Sequence, residues 1–365
     1  MDTPKATVRR RQRVNADSEP QRKTNRRDWD QYPEKLYPFL AHGVEFSEMG
    51  GDNWCGTAPF STKPDKFYVN PKTGQWDDKV TGDSGNTYTF LEKMVEHYCE
   101  AMTPNKRERF AEALKLPNEA LDDWPLGLDG NSICMPVVSE KGTVRDIRRR
   151  SFKTRKWMST KGCKAYLGNA KQLAGKVRKR VWLTEGESDA IALRYLLRQV
   201  DREADVVCWV PGANVFKKEW VPLIAKHEVI VAFDNDDAGR KGAARVRGLL
   251  ADQGQKACYV NWPEDRDEGF DVRDFVTSAF DEERPLPDAF EELESFIIEC
   301  SEEDDTEAYE RFPLVTIEDI INRPPPRWLL EPFIPAEQFG LCVANSNVGT
   351  SLLFIAFSKM IAAGE

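Results

Sequence analysis

Between residues 181 and 262 four short apolar runs alternate with turn-rich and amphipathic stretches, and this alternation constrains the fold more than anything else in the chain. The runs are VWLTEG (181–186), VVCWV (206–210), EVIVAF (228–233) and KACYVNW (256–262). Each has strand length and ends near Gly, Pro, Asn or Asp, whereas SDAIALRYLLRQV and the segment through Leu250 carry a helical period. Strands joined by helices require crossover connections, so a mostly parallel sheet covered on both faces is expected. Ligands of such sheets gather at the carboxyl ends of the strands. Glu185 lies at the end of the first run, Asp234 and Asp236 follow the third, and Asp271 and Asp274 lie after the fourth in EGFDVRDF. An all-oxygen group without His or Cys suits Mg2+ or Mn2+ rather than structural zinc. Mg2+ keeps several waters and takes one or two carboxylates plus substrate phosphates, which points to a polyphosphate or nucleic-acid substrate. The same residues would equally serve as turn formers and helix caps.

The net charge of -9 conceals strong local differences. Residues 1–27 carry a balance of +6, residues 141–180 a balance of +14, and residues 281–310 a balance of -13. The basic middle, with Arg148, Arg149, Arg150, Lys153, Arg155 and Lys156, is interleaved with Phe152 and Trp157, a composition suited to stacking and neutralising a polyanion. Strand alternation puts Arg148 and Arg150 on one face and Arg149 on the other. The eight cysteines stand singly, with no Cys-x2-Cys pair, which disfavours a zinc finger or a dense disulfide framework and suggests a reducing compartment. No apolar run of about 20 residues and no signal peptide occurs, so a cytoplasmic, non-membrane protein is expected.

The expected organisation is multidomain, α/β and α+β. It comprises a basic disordered arm (1–30), a ribbon-like module with helices (31–120), a basic mixed-sheet subdomain (121–180), the parallel-sheet domain (181–280), an acidic and proline-rich linker (281–326) and the start of a further domain (327–365).

TEGESDA, followed by AFDNDDAG and then DVRDF, resembles the Toprim domain shared by bacterial-type primases, topoisomerases and some nucleases. AFDNDDAGRKGA and DVRDF are closest in form to phage primases and primase-helicases. The resemblance implies that Asp234 and Asp236 hold divalent metal, that Glu185 shares the metal or handles a proton, and that Asp189, Asp271 and Asp274 support them. Upstream, LGLDGNSICMPVVSEKGTVRDIRRRSF resembles the basic subdomain of those primases, making Arg148, Arg149 and Arg150 candidates for phosphate contacts, with Lys161 and Lys164 beside them. The module over 58–81 resembles their zinc ribbon, but Ala58, Ser61, Asp78 and Thr81 stand at the four ligand positions, so no zinc is expected. FGLCVA (339–344) and ANSNVGTS resemble the entry to a RecA-like helicase motor. Gly349 and Ser351 remain in its phosphate loop, but Thr350 replaces the lysine.

The implied function is a DNA primase joining ribonucleoside triphosphates on single-stranded DNA, working with a replicative helicase or a helicase domain beyond the chain. A Toprim nuclease would use the same carboxylates, and a catalytically impaired scaffold binding single-stranded DNA is the non-enzymatic alternative. A topoisomerase would need a tyrosine-bearing strand-passage domain, for which 365 residues leave little room.

Overall fold

A computed structural model describes residues 26–174, 180–208 and 216–298, together with the backbone of two short strands at 328–330 and 334–335. The N-terminal module is an antiparallel sheet in sequential order: β1 (Glu45–Glu48), β2 (Trp54–Thr57), β3 (Phe67–Val69), β4 (Trp76–Asp78) and β5 (Ser84–Gly85). Helix α1 (Tyr37–Ala41) precedes it, and α2 (Thr87–Glu100) and α3 (Pro104–Leu114) follow. Asn86 starts α2 because its side chain accepts from the Tyr88 and Thr89 amides, while the Thr89 hydroxyl accepts from the Asn86 amide. Thr103 caps α3, and Pro104 at its first position leaves no amide unsatisfied. The core is aromatic: Phe39 lies 4.4 Å from Phe90, and Phe67 stacks on Trp76 at 5.4 Å.

The four positions that resemble zinc ligands hold different chemistry. Ala58 is buried among apolar side chains. The Ser61 hydroxyl donates to Asp78 Oδ2 (2.8 Å), and the Val80 amide donates to Asp78 Oδ1 (2.8 Å). Asp78 is fully buried with both oxygens engaged, tying the turn at 58–61 to the end of β4. The Thr81 hydroxyl accepts from the Asp83 amide (3.2 Å).

A second antiparallel sheet contains β6 (Gly127–Asp129), β7 (Ser132–Val138), β8 (Val144–Ser151) and β9 (Trp157–Met158), again in sequential order. Along β8 the even-numbered residues Val144, Asp146, Arg148 and Arg150 are buried, while Arg145 and Arg149 are half-buried. The basic strand thus directs two arginines inward.

The third sheet is the parallel one. Its elements are β10 (Arg180–Thr184), α4 (Glu187–Gln199), β11 (Asp205–Cys208), α5 (Val221–Ile224), β12 (Glu228–Ala232), α6 (Asp237–Ala251), β13 (Ala257–Val260), α7 (Val272–Asp281), α8 (Leu286–Ser295) and β14 (Ile297–Ile298). The spatial order is β11-β10-β12-β13-β14, parallel except for β14. Helix α8 stops at Ser295, because Ile297 and Ile298 pair with Val260 and Tyr259 at the sheet edge. Trp182, Val206 and Ile230 pack under α4, α7 and α8, whereas Val181, Leu183, Val207 and Val231 pack under α5 and α6. Burial on both faces accounts for the continuous apolar runs.

Residues 1–300 form one unit and 301–365 another, within which β15 (Trp328–Leu330) pairs antiparallel with β16 (Ile334–Pro335). The N-terminal arm up to Asn25, most of the linker, the helicase-like segment and Gly349, Thr350 and Ser351 lie outside the described residues. Among the described residues, no helix is long and apolar enough to cross a membrane.

Candidate metal centre

β10 has β11 on one side and β12 on the other, so the chain reverses its direction of winding at the β10/β12 boundary. That switch point opens a crevice at the strands' carboxyl ends. Thr184 pairs with Ala232 in the register, so Glu185 and Asp234 leave adjacent strands at this crevice. The loop after β12 is fastened to the distant 266–271 segment: the Asn235 amide donates to the Phe270 carbonyl (2.8 Å), and the Gly269 amide donates to the Asn235 carbonyl (2.9 Å). Asp271 is brought beside Asp234 in this way. Gly239 permits the arrangement, since an added Cβ would stand 2.2 Å from the Asp234 carbonyl oxygen as α6 begins. Asp189 enters from the first turn of α4.

Carboxylate oxygens of Asp189, Asp234 and Asp271 all lie within 4.8 Å of one another. Burial, followed by the charges of Glu185, Asp271 and Asp236, pushes the Asp234 carboxyl up to about 8, with Arg273 opposing. Asp189 is driven well above the usual carboxylate range by burial and then by Asp271 and Asp234. Burial also raises Asp271, against the pull of Arg273 and the Asp274 amide. Asp189 Oδ1 is buried and has no hydrogen-bond partner among the described residues.

The candidate residues from the sequence divide into distinct positions. Asp189, Asp234 and Asp271 form the tight triplet, while Glu185 and Asp236 act electrostatically on Asp234 from outside it. Asp236 caps α6, accepting from the Gly239 amide at 2.6 Å, and Asp271 caps α7 through the Asp274 amide at 2.7 Å. Asp274 takes part through Arg273, which donates to Asp271 (2.8 Å) and Asp274 (3.4 Å). Arg148 is buried in an ion pair with Glu187 (2.5 Å) and also donates to the Ser159 hydroxyl (2.8 Å). Arg149 turns to the opposite face, donating to the Ala41 carbonyl (2.8 Å) and Asp129 (3.3 Å). Arg150 is buried over the Phe110 ring. Lys153, Arg155, Lys156 and Lys164 are exposed, and Lys161 lies over the rings of Trp29 and Tyr37.

Sequence reasoning missed Arg273 and Glu187. Arg273 carried a signal: a cation in the first turn of a helix opposes the helix dipole unless carboxylates hold it there. Glu187 offered none, because its partner Arg148 is 39 residues away.

Three converging carboxylates, one with an orphaned buried oxygen, suit a hard divalent cation. Protonation would relieve the repulsion, as the raised carboxyls indicate; a cation would relieve it while leaving the carboxylates ionised.

Residues 182–274 match the family model described as Toprim-like. No curated protein sequence matches the chain. Among solved structures, the zinc-binding and RNA polymerase domains of the Aquifex aeolicus primase align at 16% identity over 74% of this chain and 87% of that one, with a TM-score of 0.41. The E. coli primase catalytic core aligns at 16% identity over 64% and 87%, with a TM-score of 0.48. The primase fragment of the bacteriophage T7 primase-helicase aligns at 18% identity over 63% and 96%, with a TM-score of 0.37. The acidic triplet and its flanking Glu185 and Asp236 lie within the matched span, and the parallel sheet that carries them is a Toprim-like domain.

Proposed function

We propose that the chain is a divalent-metal-dependent nucleotidyltransferase, a DNA primase that joins ribonucleoside triphosphates on a single-stranded DNA template. The observation carrying this reading is the convergence of Asp189, Asp234 and Asp271 at the switch point of a Toprim-like sheet. Asp234 and Asp271 hold Mg2+ or Mn2+, with Asp189 completing the carboxylate set. When bound, such a cation neutralises a triphosphate and stabilises charge on the transferring phosphoryl group. Glu185 takes the proton from the attacking hydroxyl, and Asp236 holds the N-terminus of α6 so that Asp234 keeps its position. Asp274 restrains Arg273. Lys153, Arg155, Lys156, Lys161 and Lys164 neutralise template phosphates, and a replicative helicase supplies the unwound strand. No structural zinc is assigned to positions 58, 61, 78 and 81.

The test is primer synthesis by the full chain on mixed-sequence single-stranded DNA with four ribonucleoside triphosphates and Mg2+ or Mn2+. Template-dependent oligoribonucleotides are expected. Saturable metal and DNA binding with no product would instead support a scaffold, and cleavage of the DNA would support a nuclease.

A further inference from the structure

Asn235, between Asp234 and Asp236, is the point at which two segments distant in sequence meet. Its backbone pairs with Gly269 and Phe270, and its side chain adds a second set of bonds. Nδ2 donates to the carbonyls of Arg266 and Asp267, both at 3.2 Å, and Oδ1 accepts from Arg240 Nη1 at 3.3 Å. Only this orientation of the amide satisfies all three partners, because a carbonyl can only accept and a guanidinium can only donate. The segment held in this way leads directly into Asp271. It carries Glu264, Asp265, Asp267 and Glu268, all exposed, whose charge opposes close approach to an acidic centre. On its other side, Arg266 donates to Glu292 of α8 at 3.3 Å and lies over the Phe270 ring at 5.1 Å. The loop is therefore clamped between α8 and one asparagine. Asp234 has no room to follow a loop that drifts: its carbonyl accepts from the Asp236 amide at 2.8 Å and would stand 2.2 Å from a Cβ on Gly239. One side of the centre is thus fixed by the start of α6, and the other depends on Asn235.

We propose that Asn235 is a positioning residue whose side-chain amide seats the 263–271 loop, fixes the spacing of Asp271 from Asp234, and so makes the centre select a small divalent cation over Ca2+. Mg2+ requires a near-ideal octahedral set of oxygens at about 2.0–2.1 Å, whereas Ca2+ accepts irregular sets at about 2.3–2.6 Å. Carboxylates held at a fixed spacing favour the smaller ion, and a loosened pair loses that preference. The proposal rests on the metal-binding part of the proposed function and is independent of which reaction the metal serves.

The test uses the full chain stripped with EDTA, with Mn2+ followed by paramagnetic resonance and displaced by Mg2+ or by Ca2+. Asn235→Ala should weaken Mn2+ binding about 10-fold, as removal of a group that supports a ligand does, and lower the ratio of Mg2+ to Ca2+ affinity at least about 3-fold. In an Asp271→Asn background the same substitution should change neither further, since the carboxylate it positions is already gone. An unchanged ratio in Asn235→Ala, or an equal loss in the Asp271→Asn background, overturns the proposal. If Asn235→Ala melts lower than wild type, Asn235→Asp decides. It keeps the size and the bond from Arg240, loses both donors, and adds a charge that strengthens the attraction for both ions alike. A lowered ratio then supports the proposal, and an unchanged ratio overturns it. A wild type without saturable Mn2+ binding would overturn the metal-binding reading itself, a result distinct from wild-type binding that Asn235→Ala leaves unaltered.

Discussion

Two buried aspartates, Asp78 in the N-terminal sheet and Asp189 in the first turn of α4, show opposite ways of placing a carboxylate inside a protein. Asp78 has both oxygens filled by donors from its own module, the Ser61 hydroxyl and the Val80 amide. Asp189 has an orphaned oxygen and two further carboxyls, Asp234 and Asp271, as neighbours. Donors make a buried carboxylate part of the architecture, whereas like charges make it a site that calls for a proton or a cation. The difference predicts that the first aspartate matters for folding whatever the metal content, and the second for metal binding and chemistry.

The largest effect should come from breaking the acidic side. Asp234→Asn should reduce primer synthesis on the order of 10³-fold, equivalent to about 4 kcal/mol, without loss of the folded state. A steady-state assay beside a circular-dichroism melt checks both halves. Asp78→Ala should act the other way round. Two buried donors lose their acceptor, so unfolding should become easier by about 3 kcal/mol, seen as a lower denaturant midpoint with and without Mg2+.

The pH dependence sharpens the contrast further. Asp234 has an ordinary value near 3.8 when unfolded and about 8 in the metal-free fold. Between those limits the unfolded chain binds fewer protons than the folded one, so stability should fall as pH rises and level off above about 8. Each such group contributes a slope of up to about 1.4 kcal/mol per pH unit. Asp189 and Asp271, also raised, act in the same direction. Denaturant melts in EDTA should show the decline, and Asp234→Asn or saturating Mg2+ should reduce it. The smallest effect concerns the exposed turn after β8: replacing Lys153 and Lys156 with alanine should lower the salt slope of single-stranded DNA binding by about 1.4, roughly 0.7 for each phosphate no longer neutralised.

The parallel sheet was legible because β10 and β12 are apolar on both faces and end in acidic turns, so the sequence alone puts Glu185 and Asp234 at one end of the sheet. The composition of the triplet was not. Asp236 and Asp189 both look like residues at a helix start, yet Asp236 is occupied by the Gly239 amide while Asp189 points into the cluster. Asp271 arrives through hydrogen bonds between residues 235 and 270, a long-range pairing with no local pattern. Alternation on β8 correctly separated Arg149 from Arg148 and Arg150, but period alone cannot tell an inward face from an outward one. The buried partner Glu187 decides that for Arg148. The end of α8 is set in a related way: pairing of Ile297 and Ile298 at the edge of β13 competes with helical continuation, and that competitor is invisible within the segment itself.

Mn2+ binding to the full chain, followed by paramagnetic resonance in wild type, Asp189→Asn and Asp234→Asn, tests the acidic centre most directly. The account predicts saturable binding in wild type, weakened at least about 10-fold in both variants, each of which melts at an equal or higher temperature than metal-free wild type at pH 8. Equal Mn2+ affinity in all three proteins would contradict it, because the clustered carboxylates would then have no cation to hold.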